Sequence, residues 1–271
     1  MASAVASSDY GGRCSPRTRC GRQRDCPSSS RRSSRGDGAV LRQAGPNYAA
    51  SLFPFVDGQS YPEGEHSTTQ DRAAVVELLA QLHEATRSVQ ASAGVDDLEL
   101  SGRAHLERAL GRLQVPWTGG PFAEATRNLL ASSAPNLRLL LREYDRLANA
   151  ARARSVPWVI THGEPKPDNF LTTRTGPMLV DWDTALVAPA ARDLWMVDEG
   201  SGECAYYTEL TGRRVSDDEL RLYRLQWDLA DIADYVRWFA APHADTADSE
   251  IAWNALTLNL RVKERWPELL C

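Results

Sequence analysis

Between Thr161 and Phe170 the chain reads THGEPKPDNF, a stretch that gathers His162, Glu164, Lys166, Asp168 and Asn169 within ten residues. Lysine is scarce in this protein, Lys166 and Lys263 standing against 29 arginines, so its place in such a loop is informative. A second acidic pair, Asp181 and Asp183, follows in the sequence DWD. Phosphoryl transfer needs side chains of these kinds: a carboxylate to orient and deprotonate the attacking hydroxyl, oxygen ligands for Mg2+, and positive charge on the transferred phosphate. Glu164 supplies the base, Asn169 and Asp181 the metal ligands, and Lys166 the charge. His162 reads as a structural residue whose ring bonds backbone near the aspartates.

The same residues admit two other readings. EPKPDN alone could be a solvated turn punctuated by Pro165 and Pro167. Asp181, Asp183 and His162 could form a hydrolytic metal site, but no His-x-x-x-His pair or second carboxylate cluster completes one. The turn reading does not account for Asp181 and Arg192-Asp193-Leu194 arriving in order.

Strands are expected on both sides of the loop. VPWVIT precedes it, and NFLTT and PMLVDW, joined by a turn over 173–177 that contains Gly176, form a hairpin. Further upstream, AVLRQAG and NYAASLFPFVDG read as a short hairpin, with Pro54 and Gly58 as breakers that mark a crossing between structural units. From Gln70 the period changes to that of an amphipathic helix, with Val75, Leu78, Leu79 and Leu82 on one stripe. Separate helices are expected over 103–113, around 122–130 and over 136–153. The Ser216–Glu219 capping box opens a long helix reaching about Ala241.

The 271 residues, 42% hydrophobic and 25% charged, can bury one large core or two smaller ones. No apolar run reaches the roughly 18 residues of a membrane span, and the N-terminus lacks an apolar secretory core, so a cytoplasmic protein without membrane attachment is expected. Cys14, Cys20 and Cys26 have no nearby histidine or CxxC partner, and with Cys204 and Cys271 they read as free thiols. Residues 1–35 hold eight arginines against Asp9 and Asp25; with a net charge of -5 for the whole chain, this +6 leaves -11 for the rest. That Arg/Ser-rich tail is too poor in apolar residues to fold alone, and disorder is expected. It reads as an incidental extension, with a transit peptide or nucleic-acid arm as alternatives; no nucleic-acid partner is expected of the body. The oligomeric state is not legible.

His162-x-Glu164-x4-Asn169 followed by Asp181-Trp182-Asp183 resembles the aminoglycoside phosphotransferase and choline kinase-like branch of the protein-kinase-like fold. RDL at 192–194, SLFPFVDG as a hinge and LLAQLHEAT as the next helix are similar to that family too. The resemblance implies an α+β fold: a truncated small β lobe and hinge over 36–58, then a mainly helical C-terminal lobe over 59–271 whose hairpin region carries the catalytic loop. It implies ATP and Mg2+ as cofactors, Glu164 as base, Asn169 and Asp181 as metal ligands, backbone near Phe53 and Phe55 against adenine, and Asp193 as a brace for the loop. Two departures stand out. Glu164 replaces the family's aspartate, adding about 1.5 Å of reach, and no lysine or G-x-G-x-x-G run occurs ahead of Lys166.

Residues 201–250 carry eleven acids against five arginines, and Asp228, Asp231 and Tyr235 share a helix face at i, i+3 and i+7. That face is a candidate for binding the amines of an aminocyclitol or choline-like small molecule, or it is an ordinary acidic surface. The expectation is an ATP-dependent phosphotransferase acting on a hydroxyl of an amino-alcohol. The alternative is a truncated, catalytically impaired relative that serves as a binding module.

Overall fold

The computed structural model describes residues 42–43, 48–50, 55–61 and 68–269. In chain order the elements are β1 (Arg42–Gln43), β2 (Ala49–Ala50), β3 (Gly58–Ser60), α1 (Thr69–Glu84), α2 (Thr86–Val89), α3 (Arg103–Gly111), α4 (Ala123–Ala153), β4 (Val159–Thr161), β5 (Phe170–Thr173), β6 (Gly176–Leu179), β7 (Leu186–Ala188), α5 (Ala191–Val197), α6 (Glu203–Thr211), α7 (Asp217–Ala240), α8 (Ala247–Asn259) and α9 (Val262–Arg265). The tail over 1–35 lies outside the described residues. The described residues fall into two compact units, one holding those within 42–96 together with Pro157–Val215, the other holding Asp97–Val156 together with residues 216–269.

The first unit carries the loop. Its helix α1 opens on a capping box, Thr68 accepting from the Asp71 N–H while Asp71 reaches back to Thr68, which satisfies donors that a helix start leaves unpaired. The stripe of α1 buries Val75, Val76, Leu79 and Ala80 against β4, β6, α5 and α6. β5 and β6 pair antiparallel as the expected hairpin, Phe170 opposite Leu179 and Thr173 opposite Gly176. β3 adds a third strand along β5, Gly58 opposite Thr173, so Gly58 opens a strand where a breaker was expected. A Cβ there would stand 3.2 Å from the Thr172 carbonyl, which is why glycine suits the position. β4 pairs with β7 across a long connection, Val159 opposite Ala188 and Thr161 opposite Leu186. The short strands at 42–43 and 49–50 form the expected upstream hairpin.

The second unit is a helical bundle in which α4 and α3 pack on α7, and α8 and α9 cover α7 and α4. The expected pair of helices over 122–130 and 136–153 is instead the single helix α4, 31 residues long with Pro135 inside it. Interior proline costs about 3 kcal/mol through a lost hydrogen bond and a ring clash. Burial of Leu130, Leu137, Leu140 and Leu141 on either side offsets it, at roughly 1.5–3 kcal/mol per side chain. The expected capping box at α7 is present, with Ser216 accepting from the Glu219 N–H and Glu219 accepting from the Ser216 N–H.

Candidate active site

Strand β4 ends at Thr161 and delivers His162, Gly163 and Glu164 to the loop. Gly163 takes φ +98°, and a Cβ on it would lie 2.4 Å from Arg192 Nη1 and 2.6 Å from Thr184 Oγ1. Only glycine permits both the left-handed backbone and this close approach. The loop returns through a single 3-10 turn over Pro167–Asn169, with proline at its first position where no donor is needed. Asn169 then stands at the head of the β5–β6 hairpin. Its carbonyl accepts from the Val180 N–H at 3.0 Å, which sets the aspartate that follows Val180 next to the loop.

A buried carboxylate ties the loop down. Asp193, on α5 and fully buried, accepts from the His162 N–H at 2.9 Å, from the Gly163 N–H at 2.6 Å and from His83 Nε2 at 3.0 Å. Burial pushes this carboxyl up, but the hydrogen bond and charge of His83, the nearby Arg192 and the Gly163 N–H outweigh it and hold the group below the usual carboxylate range. Arg192 donates to Thr161 Oγ1 at 2.9 Å and to the Thr184 carbonyl at 2.8 Å, and Thr184 Oγ1 donates to the His162 carbonyl at 2.9 Å. His162 is buried, with Nε2 on the Val180 carbonyl at 2.9 Å and Nδ1 accepting from the Glu164 N–H at 3.3 Å. Desolvation holds its pKa below the ordinary value, in keeping with a neutral ring that spends both nitrogens on backbone. His162 therefore fastens the loop to the strand that leads into Asp181. It is a fastener rather than a base.

The charged side chains converge on the open side of this frame. Lys166 Nζ lies 3.1 Å from Asp168 Oδ2 and 3.9 Å from Glu164 Oε2. Asn169 is buried and donates from Nδ2 to the Glu164 carbonyl at 2.9 Å, which orients the amide so that Oδ1 could serve a cation. Asp181 sits at φ 67°, a left-handed conformation that aspartate tolerates better than most residues. Its carboxyl is pushed up to about 7, chiefly by the side chain of Asp183 beside it, then by burial, the Asp183 charge and the Glu164 charge. Carboxylates held together in this way, with an oriented amide oxygen on the adjoining loop, fit a divalent cation. Among the described residues no three His, Cys, Asp or Glu side chains gather as a metal site by themselves. Mg2+ is commonly held by one or two carboxylates with phosphate oxygens and water completing the shell.

A sequence profile of the phosphotransferase enzyme family (APH) matches residues 33–228. The chain belongs to this family. Protein StrN of Streptomyces griseus is 28% identical over 217 residues, which are 78% of this chain and 65% of StrN, so the chain spans just under two-thirds of that relative's length. Among solved structures, spectinomycin phosphotransferase in complex with ADP and spectinomycin superposes with a TM-score of 0.66 at 16% identity, covering 83% of this chain and 73% of that one. An aminoglycoside phosphotransferase from Alicyclobacillus acidocaldarius gives 0.54 at 19% identity, with 89% and 76% covered. A choline/ethanolamine kinase family protein from Mesorhizobium loti gives 0.52 at 16% identity, with 85% and 75% covered. These likenesses establish the protein-kinase-like α+β fold.

In this chain Glu164, Lys166, Asn169, Asp181, His162 and Asp193 all belong to the first unit. Phe53 lies outside the described residues, and Phe55 is 83% exposed. Asp228 and Asp231 belong to the second unit on α7, and Asp228 does not present itself to a ligand. It is 3% exposed, its carboxylate held by Arg265 Nε at 3.0 Å, by Arg265 Nη2 and by Trp266 Nε1 at 2.9 Å, so it anchors α9 to α7. The i, i+3, i+7 spacing defined a helix face but not which way that face turned. Asp231 is half-buried. Two contributors escaped the sequence reading. Asp168 is the nearest carboxylate to Lys166, and His83 holds Asp193 from below. A histidine on the apolar stripe of α1, four residues after Leu79, was the available signal for the latter.

Proposed function

We propose that this phosphotransferase moves the terminal phosphoryl group of ATP onto a hydroxyl of a small amino-alcohol of the aminoglycoside or aminocyclitol kind. The observation that carries the reading is the joint placement of Glu164, Asn169 and Asp181 by the braced loop and the β5–β6 hairpin. Support for the nucleotide comes from the ADP named with spectinomycin phosphotransferase, and support for the acceptor from the spectinomycin named with the same enzyme.

Glu164 orients the acceptor hydroxyl and takes its proton as the new bond to phosphorus forms. Its extra methylene over aspartate gives about 1.5 Å of additional reach. Lys166 lies between Glu164 and Asp168 and turns its charge to the transferred phosphate; Asp168 keeps the ammonium from settling on Glu164. Asn169 and Asp181 are the residues that would hold Mg2+, which would neutralise phosphate charge. Asp193 and His162 keep the loop in one conformation, so that orientation is settled before the acceptor arrives.

A second reading, a relative that binds small molecules without turning them over, is favoured by one sequence fact: no lysine precedes Lys166. Calorimetric titration of ATP in the presence of Mg2+ separates the two. Binding that disappears in Asp181→Asn supports the phosphotransferase, and absence of binding to a folded wild-type chain supports the second reading.

A further inference from the structure

Strands β4 and β7 stay paired as far as Thr161 opposite Leu186. Beyond that pair the two segments part, one into the loop that carries Glu164 and the other back into the turn that follows Asp181 and Asp183. Where a ladder stops, other bonds have to set the separation of the segments. Arg192, near the start of α5, lies at this parting. Its Nη1 donates to Thr161 Oγ1 at 2.9 Å and its Nη2 to the Thr184 carbonyl at 2.8 Å. Thr184 Oγ1 in turn donates to the His162 carbonyl at 2.9 Å, so side chains from both segments tie one to the other.

The direction of each bond is fixed by chemistry. A guanidinium donates and does not accept, and a carbonyl accepts and does not donate. The Thr161 hydroxyl gives its one proton to the Leu186 carbonyl at 2.8 Å, which leaves its lone pairs for Arg192. Both acceptors of Arg192 are neutral oxygens, so what the side chain contributes to them is spacing. A planar fork reaches two acceptors on two segments at once, whereas an ammonium on a flexible stem is a single point and does not hold that spacing. Gly163 completes the fit. A Cβ on it would lie 2.4 Å from Arg192 Nη1 and 2.6 Å from Nη2, so loop backbone and guanidinium pack directly together.

We propose that Arg192 is a positioning residue of the phosphotransfer site: by bridging Thr161 and Thr184 where β4 and β7 part, it sets how far the turn after Asp181 and Asp183 stands from the loop that carries Glu164. Asp193, the next residue, keeps the loop itself in shape through the His162 and Gly163 N–H groups, so the two neighbours have separable tasks. The kinetic consequence rests on the phosphotransferase reading, while the bridge does not.

Amide exchange of the 15N-labelled full chain reads the bridge without turnover. In Arg192→Ala the Ala185 amide, which closes the turn on the Trp182 carbonyl at 3.2 Å, is expected to exchange about tenfold faster, with His162 and Gly163 within about threefold of wild type. With ATP and spectinomycin, kcat is expected to fall about tenfold and KM for Mg2+ to rise about tenfold, KM for spectinomycin being unchanged. Guanidinium chloride at about 50 mM, far below unfolding concentrations, should bring exchange and kcat of Arg192→Ala back to within about threefold of wild type. Unchanged exchange at Ala185, or an equal rise at all three amides, overturns the proposal. A fall in kcat with KM for Mg2+ unchanged and no rescue by guanidinium marks a merely structural residue and overturns it too. Should Arg192→Ala fail to fold, Arg192→Lys takes its place, since it keeps the charge and loses the fork; wild-type exchange and kinetics in that variant are equally fatal. If the wild type transfers no phosphate yet protection of Ala185 depends on Arg192, the functional reading falls and the bridge stands.

Discussion

Replacing Asp193 with asparagine keeps the size of the side chain and removes one acceptor oxygen together with the charge. In the wild type the two oxygens take three donors, Gly163 N–H on Oδ1 and His162 N–H with His83 Nε2 on Oδ2, all fully buried. The better orientation of asparagine puts its oxygen under His162 and His83 and its amide nitrogen against the Gly163 N–H, donor facing donor at a position now spanned by 2.6 Å. One charge-assisted bond, about 1.5–3 kcal/mol, is lost, and leaving Gly163 N–H unsatisfied costs about 1–3 kcal/mol more. The remaining bonds weaken as their acceptor becomes neutral. A loss of about 4 kcal/mol is expected, lowering the thermal midpoint by about 10 °C for a chain of this size. Circular dichroism melts and urea titrations of both proteins measure it. A second signature lies in acid. Because the folded Asp193 titrates below its unfolded value, its stabilisation is fully present above about pH 4 and is lost as pH falls through the lower folded value. The gap between wild type and Asp193→Asn therefore narrows in strong acid. A variant within about 1 kcal/mol of the wild type at neutral pH would refute the claim that this carboxylate holds the loop.

Other expectations follow from the same geometry. Gly163→Ala places a methyl group 2.4 Å from Arg192 Nη1 on a residue with φ +98°, and should cost about 2–3 kcal/mol and at least about a hundredfold in kcat; differential calorimetry and steady-state ADP release check both. Asp181→Asn retains a residue type that accepts φ 67° and removes a carboxyl raised to about 7. A carboxyl raised in this way destabilises the fold progressively as pH climbs from its unfolded value near about 4. In chelator the variant should therefore melt higher than wild type at about pH 8 and alike at about pH 4, the gain limited to a few degrees by solvent screening, while activity disappears; an unchanged melting temperature at both pH values would speak against the carboxylate pair. Ser216→Ala removes the α7 cap and should cost about 1 kcal/mol in urea titrations with kcat unchanged.

Much of this fold is local in origin and could be read along the chain. The Ser216 capping box, the 173–177 turn and the α1 stripe depend on residues within a turn or two of one another, so their sequence pattern suffices. The loop from Thr161 to Phe170 was legible because its polar residues, two prolines and flanking β-branched runs lie together. What escaped depends on distant partners. β3 beside β5 and β4 beside β7 are pairings between segments far apart, and short strands carry no mark of their neighbour. Pro135 reads as a helix end until the apolar residues on both sides are seen to be buried on one surface. Asp228 reads as a solvent acid until Arg265, 37 residues later, takes its carboxylate. His83 belongs to the same class: its meaning comes from Asp193 and Tyr207, 110 and 124 residues away.

The central claim is that Glu164 acts on an acceptor hydroxyl in Mg2+-dependent phosphoryl transfer. It is tested most directly by coupled ADP release with spectinomycin as acceptor, comparing wild type and Glu164→Gln at saturating ATP and Mg2+. The account predicts acceptor-dependent ADP release by the wild type and a kcat at least about a hundredfold lower in Glu164→Gln, with ATP affinity unchanged. Equal turnover by the two proteins would contradict it.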